Sequence, residues 1–85
     1  MSIKVLFFGK LGEIAHAELG TAELSLNGIN DIHQLKQHIQ SLSNTLFEEL
    51  ENPANLTAIN QEICKTNSLV NANDEIAFMS PLSGG

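Results

Sequence analysis

Eighty-five residues suffice for one domain and exclude two. Four lysines, no arginine and ten acidic residues leave a formal charge of −6, so no basic stripe exists to neutralise phosphates and nucleic-acid binding is excluded. No apolar run nears the roughly 20 residues that a bilayer crossing needs, so no membrane partner is expected.

In chain order, "IKVLFF" (residues 3 to 8) is β-branched and aromatic and predicts a strand. Ile3, Val5 and Phe7 share one face, and Lys4, Leu6 and Phe8 the other. Both faces are mostly apolar, which suits a central strand. Gly9 and Gly12 bracket a turn or helical piece running through "EIAHAEL", with Leu11, Ile14 and Ala15 inward. "TAELSL" alternates, with Ala22, Leu24 and Leu26 on one side, and "NG" at 27–28 ends that strand.

"NDIHQLKQHIQSL" is the clearest helix: Asp31 is its expected N-cap, with Gln34 three residues on. Ile32, Leu35, Ile39 and Leu42 form one apolar stripe. "TLFEEL" predicts a shorter helix boxed by Thr45 and Glu48, burying Leu46, Phe47 and Leu50 and stopped by "NP" at 52–53. "LTAIN" and "EICK" flank a tight turn at Asn60-Gln61, and "EIAFM" follows the turn cluster "NAND".

The order is that of an α+β domain with one small sheet under helical cover. Residues 1–80 are expected to form the domain and residues 81–85 a flexible tail. Ile3, Val5, Phe7, Ile76 and Phe78 should line the inner face. If the first and last strands are parallel neighbours, Lys4, Leu6 and Phe8 lie beside Glu75, Ala77 and Met79. Phe8, Met79 and Ile63 would then make an apolar docking patch where the tail departs, unless a loop or the short helix covers it.

The body offers little chemistry. His33 and His38 are five apart, which points them to different faces of their helix, and His16 lies elsewhere, so no metal site is expected. "GKLG" is too short for a phosphate loop. Cys64 has no partner for an internal disulfide and reads as a half-buried, inert thiol. The N-terminal apolar run is too short for a signal-peptide core, and a cytoplasmic protein is expected.

The C-terminal "SPLSGG" is different. Pro81 stops any helix and biases the tail towards extension, while Leu82 and Ser83 lead to two glycines. Gly84 and Gly85 lack a Cβ and can thread a channel that excludes side chains. The terminal carboxylate is ionised near neutral pH and unreactive, so it needs activation by another protein. Adenylation would open it either to an amine, giving an isopeptide, or to a sulfur donor, giving a thiocarboxylate.

"IKVLFFGKLGE", "LTAINQEI" and "DEIAFMSPLSGG" fall in matching order over essentially the whole chain and resemble the molybdopterin synthase small-subunit family of sulfur carriers. The resemblance implies a β-grasp, ubiquitin-like fold: a mixed sheet with the first and last strands parallel and central, and helices on one face. It implies that Gly85 is adenylated with ATP by an enzyme resembling the ubiquitin activators and thiocarboxylated by a sulfur donor protein. Gly85 would then deliver sulfur to cyclic pyranopterin monophosphate inside the synthase large subunit, in a heterotetramer. No cofactor bound by this chain is implied.

By position, Phe8, Ile63 and Met79 match the family's apolar contact surface. Pro81, Leu82 and Ser83, with Gly84, match the inserted tail. Two departures stand out: Gly12 precedes Glu13 where the family often has arginine, and Ser80-Pro81 replaces a frequent Pro-Pro. Two rivals share the terminus, a thiamine-pathway sulfur carrier and a ubiquitin-like protein modifier; the helical middle, residues 31 to 51, argues against the first. A third reading is a binding module whose glycines are incidental.

Overall fold

The β-branched and aromatic start of the chain forms β1 (Ser2–Phe8), and the last apolar run forms β5 (Glu75–Met79), in a computed structural model that describes residues 2–64 and 66–81. Between them come α1 (Lys10–Leu19), β2 (Glu23–Asn27), α2 (Ile32–Leu42), α3 (Asn44–Leu50), β3 (Leu56–Ile59) and β4 (Glu62–Cys64). The five strands make one sheet in the order β2-β1-β5-β3-β4. β1 and β5 run parallel and the other pairs antiparallel, as the family resemblance implies for the first and last strands.

One face of the sheet is the core. Ile3, Val5, Phe7, Ile76 and Phe78 are each at most 4% exposed, and the Phe7 and Phe78 rings stack with centroids 5.7 Å apart. The helices cover this face with Leu11 and Ala15 from α1, Leu35 and Ile39 from α2, and Leu46 and Leu50 from α3. The three described helices therefore lie on one side, and among the described residues the other side of the sheet carries none.

Local chemistry sets the helix limits. The Asp31 carboxylate accepts the Gln34 N–H at 2.7 Å, and Gln34 Oε1 accepts the Asn30 N–H at 2.9 Å; the box predicted for α2 is present but reaches one residue further back. The predicted Thr45–Glu48 box is not what starts α3. Ser43 caps it, accepting the Leu46 N–H at 3.1 Å while donating its hydroxyl to Glu18 at 2.6 Å. That second bond ties α3 to α1, and such a tertiary partner makes Ser43 a better cap than Thr45. Leu42 also departs from expectation: it is 47% exposed, because the apolar stripe ends at Ile39 where the chain bends at Ser43.

Gly12 has a steric reason to be glycine. A Cβ there would lie 2.8 Å from the Phe7 carbonyl oxygen, closer than carbon and oxygen tolerate. The first turn of α1 is pressed against the end of β1, with no room for the arginine frequent in the resembling family.

The start of β5 is pinned by a side-chain cluster. Asn60 and Gln61 both take positive φ, 51° and 71°, the geometry of a two-residue hairpin turn of the I′ type. This turn sets Ala58 opposite Ile63. Asn60 also donates to the Asp74 carboxylate at 2.9 Å and accepts the Glu75 N–H at 2.9 Å. The Asn71 N–H donates to the other Asp74 oxygen at 2.8 Å.

The Asn71 amide, followed by Asn60, holds the Asp74 carboxyl below its ordinary value of 3.8. A carboxylate with a lowered folded pKa contributes stability above its unfolded pKa and loses that contribution as pH falls through the folded value. Denaturant titrations between about pH 5 and about pH 2 should therefore show a steeper loss of stability for the wild type than for Asp74→Asn. Parallel curves would show that this cluster does not feel the charge.

Candidate functional site

The uncovered side of the sheet is the candidate site. Strand alternation sends Lys4, Leu6 and Phe8 of β1 to this face, beside Glu75, Ala77 and Met79 of β5 in the register Lys4↔Glu75, Leu6↔Ala77 and Phe8↔Met79. β3 adds Leu56 opposite Met79 and Ala58 opposite Ala77. β4 adds Ile63 opposite Ala58. The open face is thereby sorted by polarity along the strands.

Its polar end holds Lys4 and Glu23, 3.9 Å apart with both side chains about half exposed, together with Glu75. An ion pair so exposed contributes at most about 1 kcal/mol, so this end is suited to water. Its apolar end holds Phe8, Leu56 and Ile63, exposed by 48%, 47% and 49%, with the partly buried Met79 and Leu6 between them. Ala58 beneath them is buried. Among the described residues neither a loop nor α3 covers this patch. Covering each half-exposed side chain would gain on the order of 1 kcal/mol by the area rule.

Phe8, Ile63 and Met79, singled out from the sequence, are thus brought onto one surface. Leu56 belongs with them and was missed. Its signal was available: the Asn60-Gln61 turn fixes the hairpin register, and Leu56 then shares a face with Ala58 and Ile63.

The tail root sits at the apolar end. β5 ends at Met79, and Ser80 Oγ accepts the Lys10 N–H at 2.8 Å. Gly9, at the N-terminus of α1 with φ 64°, supplies no side-chain cap, so Ser80 caps this helix from 70 residues away. A Cβ on Gly9 would collide with Ser80 Oγ. Pro81 follows, exposed. Leu82, Ser83, Gly84 and Gly85 lie outside the described residues.

Elsewhere, a groove of about 250 Å³ lies between α2 and the β4 edge, lined by His33, Lys36, Glu51, Thr57, Cys64 and Asn67 among others. Lys36 is engaged with Glu51 at 3.3 Å, and among the described residues no buried side-chain polar atom lacks a partner. No group of three or more His, Cys, Asp or Glu residues among the described residues is placed to hold a metal ion. No helix among them is long and apolar enough to cross a membrane.

Known proteins share this pattern. The ThiS family model matches residues 5–85. The molybdopterin synthase sulfur carrier subunit of Escherichia coli (strain K12) is 30% identical over 83 residues, covering 98% of this chain and 99% of that protein. The crystal structure of SAMP1 from Haloferax volcanii superposes with a TM-score of 0.79 at 19% identity, each chain fully covered. A subunit in the complex of subunits 1 and 2 of molybdopterin-converting factor from Helicobacter pylori 26695 does so with a TM-score of 0.68 at 20% identity, again with full coverage. The β-grasp, ubiquitin-like arrangement that the family resemblance implies is the fold found.

Proposed function

Because the chain belongs to the ThiS family, matched over residues 5–85, we propose that it is the sulfur carrier subunit of a molybdopterin synthase, with no turnover of its own. One observation carries the reading. The exposed apolar patch of Phe8, Leu56 and Ile63 with Met79 lies where β5 ends, six residues before the Gly84-Gly85 end of the sequence. The full-length likeness to the Escherichia coli sulfur carrier subunit supports it.

In this reading the Gly85 carboxylate attacks ATP within an adenylating enzyme and releases pyrophosphate. A hydrosulfide-equivalent from a donor protein displaces AMP and leaves a thiocarboxylate. The patch docks on the synthase large subunit, and the tail enters its active site. There the thiocarboxylate sulfur forms a bond to a carbon of cyclic pyranopterin monophosphate as a carbon–oxygen bond breaks. Water then cleaves the acyl–sulfur bond, which returns Gly85 as carboxylate and leaves sulfur on the pterin. Two such deliveries complete a dithiolene.

The reading is tested by incubating the protein with the cognate adenylating enzyme, ATP and a sulfide source, followed by intact mass measurement. An oxygen-to-sulfur shift confined to the C-terminal peptide is expected. No shift, under conditions that load a related carrier, would overturn the proposal.

A further inference from the structure

The sulfur-carrier reading leaves open what aims the tail, and on that reading we propose that Ser80 is its positioning residue. Its hydroxyl fastens the tail root to the N-terminus of α1. Residue 80 then departs from a fixed point in a fixed direction relative to the docking patch.

Two ends of the chain interlock here. β5 stops at Met79, and Pro81 has no N–H with which to extend the ladder, so among the described residues Ser80 and Pro81 lie outside the strand. α1 begins at Lys10 with an N–H that Gly9 cannot cap for want of a side chain. Ser80 Oγ meets that N–H at 2.8 Å. The space it occupies is the space a Cβ on Gly9 would fill, and Gly9 at φ 64° holds a backbone conformation natural to glycine. The same oxygen lies 3.5 Å from the Phe8 carbonyl, and Phe8 is a member of the patch. Docking surface and tail root therefore share one rigid frame.

Magnitudes separate aim from slack. Freeing Ser80 adds one residue of slack at the root without moving Gly85 relative to the residues just before it, and treated as a random chain this lowers the effective concentration of the end only about 1.3-fold. A displacement of about 1 Å at the reacting atoms can cost about 100-fold. A large effect of loosening Ser80 would therefore report direction, not length.

The test compares Ser80→Ala and Ser80→Thr with the wild type, each loaded as thiocarboxylate and mixed with the cognate large subunit. Occupancy is read by intact mass, docking by calorimetry, the clasp by hydrogen exchange at the Lys10 amide, and transfer by single-turnover rate. For Ser80→Ala, unchanged docking within about twofold, faster Lys10 exchange and a transfer rate lowered about fivefold or more are expected. Ser80→Thr keeps the hydroxyl and should recover most of that rate. A smaller loss, unchanged Lys10 exchange, or a threonine variant as slow as the alanine one would overturn the proposal. Failure of the wild type itself to load or transfer would refute the sulfur-carrier reading instead.

Discussion

A single glycine appended after Gly85 should abolish sulfur transfer and leave the thermal midpoint unchanged. The added residue moves the terminal carboxylate by up to about 3.5 Å. Productive attack needs the reacting atoms within about 3–3.5 Å of each other, and even a 1 Å misplacement can cost about 100-fold. One residue of overshoot therefore removes essentially all of the rate.

Gly85→Ala separates the two features of the terminus. It keeps the length but adds a Cβ where the proposed channel excludes side chains, and should slow loading or transfer without displacing the carboxylate. The domain should be indifferent to both changes, since its core closes with Phe78. Mass measurement of loading and a single-turnover assay provide the check. An extended chain that still loads and transfers at the wild-type rate would remove the terminus from the mechanism.

The second large effect concerns docking. Phe8→Asp and Ile63→Asp each put a charge at the centre of the apolar end of the open face, where burial would strip its water. Truncation or charge at such an anchor typically costs about 2–4 kcal/mol, roughly 30-fold to 1,000-fold in Kd for the large subunit. Both side chains are about half exposed in the free protein, so stability should change little.

Leu69→Asp is the control. Leu69 is 78% exposed but sits outside the five strands, so its loss should shift Kd by less than about 0.5 kcal/mol. Titration calorimetry distinguishes these outcomes. Equal weakening by Leu69→Asp and Ile63→Asp would mean that charge anywhere disturbs binding, and the patch would lose its role.

Much of the fold was legible because its signals are local. β1 and β5 are short runs whose alternation and end charges allow few registers, and Asp31 with Gln34 announces α2 within four residues. The features that escaped the sequence depend on contacts distant along the chain. Ser43 and Thr45 offer equivalent hydroxyls for starting α3, and Glu18 on another helix settles the choice. Ser80 reads only as the last residue of the domain until Lys10, 70 positions earlier, proves to be its partner.

The candidate site divides in the same way. Phe8 and Met79 could be placed together from the parallel pair alone. The Asn60-Gln61 turn puts Leu56 on the face of Ala58 and Ile63, but only the β3–β5 register sets it opposite Met79. Gly12 looked like a missing ionic contact, when its small size is what lets α1 close over the end of β1.

The place of β5 has a consequence for synthesis. Of the five described strands it is the last in chain order, yet it lies between β1 and β3, so this sheet stays in two pieces until residue 79 has left the ribosome. A nascent or prematurely terminated chain lacking Glu75–Met79 has no Phe78 for its core, no Met79 beside Phe8, and no Ser80 at the head of α1. On the proposed function, such a fragment could not occupy the large subunit as a sulfur-free decoy, because the strand that completes the proposed docking patch is also the one that leads to Gly85.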